Sequence, residues 1–397
     1  MSSRSLKKAL LTGLCSVLLF LLSATAGYSG WQNMSSGTSL RLRDVWGTSN
    51  TDVFAVGENG TTLHFDGNVW NRMTNATILT LQGVWGTSGN DVYAVGGASA
   101  STGPGSEIIV HYDGGTWQQI YSGNLERLHD VWGSSGTDIF TVGESGGIFN
   151  YTGVSWNSMA NPVSGNTSIT MRDIWGSASD DIFAVGDAGT ILHFDGTKWS
   201  IMTTNTSAKL HGVGGSSATD VFAVGEGGII LHYDGTKWSI MTSPTVNQLR
   251  AVWAYSENDV FAVGDYGVVL HYDGTAWEAT TVGINNIYGV WGTSGSEVFA
   301  VADKGVILYY DGKDDGNNGN CPFTVALGKG HPQLKTLRQV RDEVLVKSAA
   351  GQRVIAFYYA NGGLLARVIE KLPIVKHVAK NLLELILPAI KKSMEQS

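Results

Sequence analysis

A tryptophan recurs along this chain with a spacing that only a repeated supersecondary unit explains. Aligning Leu42 to Asp52 (LRDVWGTSNTD) with later stretches brings Trp46, Trp85, Trp132, Trp175, Trp253 and Trp291 into register, with Gly214 in the fifth place. The successive spacings are 39, 47, 43, 39, 39 and 38 residues. Each unit divides into four apolar-polar alternating pieces: LRDVWG, DVFAVG, GTTLHFDG, and a stretch around a second tryptophan such as Val69 to Met73. Gly, Asp, Asn and Ser stand between the pieces, which is the pattern of short antiparallel strands joined by tight hairpins. Four strands in about 40 residues is the size of one propeller blade.

Seven units begin with a VWG-like strand, but only Trp70, Trp117, Trp156, Trp199, Trp238 and Trp277 follow as outer-strand tryptophans. The seventh unit stops at Asp311-Gly312, whereas Gly30-Trp31-Gln32-Asn33-Met34 matches Lys198-Trp199-Ser200-Ile201-Met202. The expected fold is therefore all-β: a seven-bladed β-propeller whose last blade is completed by the N-terminal strand, leaving no open sheet edge at the seam. Val45, Val53, Phe54, Val56, Leu63, Phe65 and their equivalents are expected in the core, with inner-strand tryptophans packed between blades. Gly67, Gly196, Gly235 and Gly274 follow Asp where a turn needs positive φ. Unit two alone carries an insertion, Ala98 to Ser106.

Composition and charge divide the chain further. With 52 Gly, 13 Trp, 7 Pro and 15% charged residues it is neither a disordered nor a collagenous sequence. Residues 1–26 carry Arg4, Lys7 and Lys8 and no acid; residues 27–320 hold 11 basic against 29 acidic side chains; residues 321–397 hold 12 against 5. The acidic middle argues against a nucleic-acid partner, because it repels phosphate. The start reads as an export signal: a basic stretch, an apolar run from Ala9 to Leu22 shorter than a bilayer span, and Ala24-Thr25-Ala26 before the mature Gly27. An uncleaved anchor is the alternative. A lipoprotein leader is disfavoured because Leu14 precedes Cys15. The expected organisation is a leader at 1–26, a propeller at 27–312, a linker at 313–320 and a small α-helical module at 321–397, with the protein exported to the periplasm, cell surface or medium. Cleavage would leave Cys321 as the sole thiol, with an attachment point, an intermolecular disulfide and an ordinary cysteine as the alternatives. The tail's basic amphipathic stretches permit membrane-surface contact or simple helical packing.

The VWGTS, DVFAVG and DGxxW landmarks resemble those of photosystem II assembly-factor propellers and, in part, Asp-box proteins; His64, His193 and His232 stand where an Asp box has Ser or Thr. The tail resembles the CFI-box module through Cys321-Pro322-Phe323, Leu337-Arg338, Arg341-Asp342, Gly351 and Tyr358-Tyr359. These resemblances imply a propeller and an extracytoplasmic setting, and leave function open, since propellers host scaffolds, lectins and enzymes.

Candidate chemistry is sparse. His64, His111, His193, His232 and His271 recur on separate blades, too far apart to share a metal, and read as structural residues bonded to a neighbouring turn. Asp311, Asp314, Asp315, Asn317 and Asn318 lack the closing Glu of a calcium loop and read as linker. One position varies within an otherwise constant frame. Three residues before each inner tryptophan, or its equivalent Gly214, stand Arg43, Gln82, His129, Arg172, His211, Arg250 and Tyr288. All seven are expected at one mouth of the central channel, as a ligand-binding rim or a solvated one. The adjacent Asp44, Asp130 and Asp173 read as rim or turn residues, with capping of the arginines or acid-base chemistry as alternatives. No cofactor or metal is expected, and no catalysis. The favoured reading is recognition of a protein or assembly partner, with a glycan-binding lectin as the rival and a sialidase-like glycoside-processing enzyme third.

Overall fold

The computed structural model describes residues 30–98, 107–122, 127–283 and 285–312. The leader, the linker, the helical module with Cys321, and the insertion from residue 99 onward lie outside the described residues. Within them the chain forms seven four-stranded antiparallel sheets. Blade 1 shows the rule: an inner strand Leu42–Ser49, a second strand Asp52–Gly57, a third Thr62–Phe65 and an outer Trp70–Arg72. The last sheet runs Trp31–Met34, Ile307–Tyr310, Glu297–Ala302, Ile287–Ser294 from outside inward, so the N-terminal segment supplies the outer strand of blade 7. This is the closure expected from the sequence.

The blades stack through both faces. Phe54, Phe183, Phe222, Phe261 and Phe299, one per second strand, are fully buried. Each lies opposite the inner-strand tryptophan or its Gly214 equivalent. Val45, Val53, Val56, Leu63 and Phe65 are buried as expected. The ring's seam has a core of the same kind, since Phe299, Val301 and Ile307 of blade 7 cluster with Val45, Leu63, Phe65 and Trp70 of blade 1.

The inner tryptophans have a partner the sequence did not announce. The rings of Trp46, Trp85, Trp132, Trp175, Trp253 and Trp291 lie over Gly86, Gly133, Gly176, Gly215, Gly292 and Gly47 of the next blade. A Cβ on any of these glycines would meet the indole at 2.6–2.8 Å. The glycine of each VWG triplet is therefore the seat for the preceding blade's tryptophan. The exception proves the pairing: blade 5 has Gly214 in place of tryptophan, and the seat on blade 6 is filled by Ala254. There the strands close the gap, and a Cβ on Gly214 would lie 2.6 Å from the Val252 carbonyl oxygen.

The antiparallel pairing gives the ring two unlike faces. One carries the starts of the inner strands and the turns between second and third strands. In six blades that turn is a single 3-10 turn, such as Glu58–Gly60, with its middle residue in left-handed backbone: Asn59, Ser145, Ala188, Gly227, Tyr266 and Lys304. The other face carries the inner-to-second and third-to-outer hairpins, including the Asp-Gly turns, where Gly67, Gly196, Gly235 and Gly274 have φ of 82–89°. On this far face the recurring histidines are structural, as expected. His64 Nε2 lies 2.7 Å from Asp52 Oδ1, and its ring stacks on Phe54 at 4.5 Å. His111, His193, His232 and His271 repeat the bond, and among the described residues no group of three or more His, Cys, Asp or Glu side chains is arranged to hold a metal ion.

Candidate functional site: one mouth of the axial channel

The inner strands lean together at the axis, and their first residues bring the varied position to the face of the 3-10 turns. Five members of the ring meet an acid fifteen residues further on, at the first position of their own blade's turn. Arg250 donates from Nε and Nη2 to Asp265 at 2.5 and 3.2 Å, and Arg172 donates from Nε to Asp187 at 2.9 Å. Arg43 lies 3.6 Å from Glu58, His129 4.0 Å from Glu144, and the Tyr288 hydroxyl donates to Asp303 at 3.3 Å. Blade 2 has Gly97 where the acid would stand, and its ring residue is the uncharged Gln82, whose carboxamide oxygen accepts from the Arg127 guanidinium. These acids were missed in the sequence although their constant offset was visible there.

Two residues before Arg43 and His129, Arg41 and Arg127 tie neighbouring blades. Arg41 donates from Nε to Asp303 of blade 7 at 2.5 Å while also lying 3.3 Å from Glu58, so one guanidinium spans the seam. Three guanidiniums gather over one ring: Arg41, Arg43 and Arg250 stand 5.1, 5.1 and 4.8 Å from the centre of Tyr288. Such stacking lets like charges approach, because the ring face is negative. Burial, and then the charge of Arg41, holds Arg43 below its ordinary pKa.

The imidazoles respond more strongly. Burial, followed by the charges of Arg127 and Arg172, pushes His129 down to about 3; burial, Arg172 and Arg250 push His211 down to about 4. Both are neutral at physiological pH. Arg43 Nε, His129 Nε2 and His211 Nε2 are shielded from solvent and have no hydrogen-bond partner among the described residues. Leaving such groups unpaired costs about 1–3 kcal/mol each. The mouth thus presents unspent hydrogen-bonding capacity.

Deeper in the channel the structure corrects the reading of Asp44, Asp130 and Asp173 as rim or turn residues. Their carboxylates reach sideways and accept the backbone N–H of Val84, Ile174 and Val213 on the following blade, at 2.9, 3.1 and 2.7 Å. They are interblade clips and not caps for the arginines. Where a small residue stands at this position space is short: a Cβ on Gly83 would fall 2.7 Å from Asp130 Cα, and one on Gly289 would fall 2.9 Å from Asp44 Cα. Burial raises all three carboxyls, Asp44 to about 7. Asp130, raised next by the charge of Asp173, keeps its proton and donates it to Asp173.

Asp44 makes stability pH-dependent in a direction opposite to an ordinary salt-bridged carboxylate. Between its unfolded pKa near 4 and its folded value of about 7, the folded chain holds a proton that the unfolded chain has lost, so stability falls as pH rises through that window and is level above it. His129 and His211 act the other way, losing stability as pH falls below about 6.5. The variant Asp44→Asn isolates the first effect. It is expected to match the parent near pH 4 and to exceed it by about 2 kcal/mol near pH 8, allowing for water in the channel. Urea unfolding at both pH values checks this; a difference that does not change with pH would refute it.

Comparison with solved structures places the fold. The chain is a seven-bladed propeller structurally similar to YCF48. A structure of YCF48 bound to D1 peptide superposes with a TM-score of 0.57 and 20% identity, covering 73% of this chain and 97% of that one. YCF48 from Cyanidioschyzon merolae gives 0.57 and 16% identity over 70% and 98% of the two chains, and the WD40 propeller domain of Doa1 gives 0.57 and 12% over 71% and 97%. No protein-family model and no curated protein matches the chain.

Proposed function

We propose that this protein is an exported, non-catalytic scaffold whose arginine-lined mouth recognises a protein partner at the cell envelope. The observation that carries the reading is the cluster of Arg41, Arg43 and Arg250 over Tyr288, beside the shielded, unpartnered nitrogens of Arg43, His129 and His211. Tyrosine and arginine dominate protein-binding hot spots, and donors without acceptors gain most when a partner supplies carbonyl or carboxylate oxygens.

The surroundings agree. Tyr266 is 66% exposed, yet holds left-handed backbone at φ 58°, a conformation a bulky side chain adopts at a cost. It sits beside Asp265, the partner of Arg250, and its N–H donates to Asn286 at 3.0 Å. Ile78 and Val246, each 85% exposed, lie in the links that lead into the inner strands on this same face. The similar YCF48 propeller has been captured with a peptide, which supports a protein ligand here. The leader-like start and acidic propeller support export and disfavour nucleic acid.

The test is quantitative co-purification from the native envelope with the parent and with Arg43→Gln/Tyr266→Gly, which trims one guanidinium and removes the strained ring. A specific protein retained by the parent and reduced about tenfold or more by the variant is expected, a loss of roughly 1.4 kcal/mol or more. Equal recovery by both proteins overturns the reading.

A further inference from the structure

The far face departs from its own rule at one place. In six blades the residue after the glycine seat is Thr or Ser, and its hydroxyl donates to the acid that starts the second strand: Thr48 to Asp52, Thr87 to Asp91, Ser134 to Asp138, Ser177 to Asp181, Ser216 to Asp220 and Thr293 to Glu297, at 2.5–2.7 Å. Blade 6 replaces that hydroxyl with Tyr255, so Asp259 loses the clip and keeps its bond from His271. The ring gained in exchange is 54% exposed and rests against Trp253, with centroids 6.3 Å apart and planes 31° apart.

That ring borders a concavity of about 680 Å³ between blades 5 and 6. Its size is that of a small-molecule site. Ser217, Thr219 and Asp234 face it from blade 5, and Tyr255, Glu257 and Asn258 from blade 6. No lysine or arginine lines it. We propose that this concavity is a saccharide-binding site, with Tyr255 as the platform for a sugar ring. A pyranose has an apolar C–H face that covers an aromatic ring and a rim of hydroxyls that need both donors and acceptors. The site offers hydroxyls, an amide and carboxylates at the edge of an exposed aromatic face, which is that complement.

A cationic ligand fits less well. Asp220 already receives the Ser216 hydroxyl and lies 2.8 Å from His232 Nε2, and Asp234 Oδ1 accepts from the Thr236 hydroxyl and from the N–H groups of Thr236 and Lys237. Asp220 and Asp234 are held as structural acceptors, so their charge is largely satisfied before any ligand arrives, and Glu257, the third acid of the lining, accepts from the Asn258 amide at 3.2 Å. The site lies on the face opposite the arginine mouth and stands or falls independently of it.

The experiment is a glycan array followed by calorimetric titration of the best neutral oligosaccharide against the full chain, Tyr255→Phe and Tyr255→Thr. The threonine restores the clip that six blades possess, so Tyr255→Thr is expected to fold at least as stably as the parent, as checked by its thermal midpoint. Binding by the parent, retained within about threefold by Tyr255→Phe and weakened about tenfold or more by Tyr255→Thr, is the expected result. No glycan bound, or equal binding by Tyr255→Thr, overturns the proposal. So does Tyr255-dependent binding of oligolysine in place of sugar.

Discussion

Replacing Trp31 with alanine will cost about 3–5 kcal/mol of propeller stability, as for other buried tryptophans. Trp31 is 2% exposed, and it opens the strand that completes the sheet of blade 7. Its loss removes the one fully buried side chain of a four-residue strand, in which Gln32 and Asn33 are exposed and Met34 is half-buried. Deleting the strand should have a larger effect: Ile307–Tyr310 becomes an unpaired edge, and an exposed edge recruits other chains. The expected readouts are a lower urea midpoint for Trp31→Ala and concentration-dependent association of the deletion on size exclusion. Val154→Ala, at a side chain 88% exposed, serves as the control with no change. An unchanged midpoint for Trp31→Ala would mean that the ring does not depend on its N-terminal strand.

Gly133→Val will destabilise the propeller by about 3 kcal/mol, at the upper end of ordinary overpacking. The new side chain has nowhere to go: a Cβ meets Trp85 Cη2 at 2.6 Å on one side and the Asp138 carbonyl oxygen at 2.9 Å on the other. An indole between two sheets is rigid and the carbonyl belongs to the hairpin, so relief requires the blades to separate. At the equivalent position of blade 6 the chain already carries Ala254, opposite a blade that has no inner-strand tryptophan. Ala254→Gly is therefore expected to cost less than about 1 kcal/mol, the loss of one methyl group and some backbone entropy. Thermal or urea unfolding of the two variants checks the contrast. Equal costs would show that the tryptophan-on-glycine contacts do not set the blade spacing.

The glycines at these seats show how much could be read in advance. The triplet Val-Trp-Gly stands in four units and a close variant in the other three, and its Trp reads as interblade packing from the sequence alone. The reason for its Gly lies on a different blade about 40 residues away and cannot be read from the strand that carries it. The ring Arg43, Gln82, His129, Arg172, His211, Arg250 and Tyr288 was found from variation within a constant frame. Glu58, Glu144, Asp187, Asp265 and Asp303 have the look of turn residues in the sequence, since each stands between the end of a second strand and a Gly two places on. Asp44, Asp130 and Asp173 were misread for a related reason: a carboxylate at the start of a strand resembles a rim residue until the neighbouring strand's N–H is seen 2.7–3.1 Å away.

The number of blades, the four-strand unit, the buried apolar positions and the closure by the N-terminal strand are all legible in the order of residues along the chain. All of these follow from short-range alternation repeated at a fixed period, and a period survives without knowledge of distance. Only the tertiary structure decided which acid neutralises which arginine, which carboxyl holds a neighbouring blade, and that Arg41, Arg43 and Arg250 converge on Tyr288. Those contacts join residues from different repeats. Their energies depend on angstrom-scale separations and on burial, which are set by how tightly the inner strands crowd the axis and leave no trace in the spacing of residues along the chain.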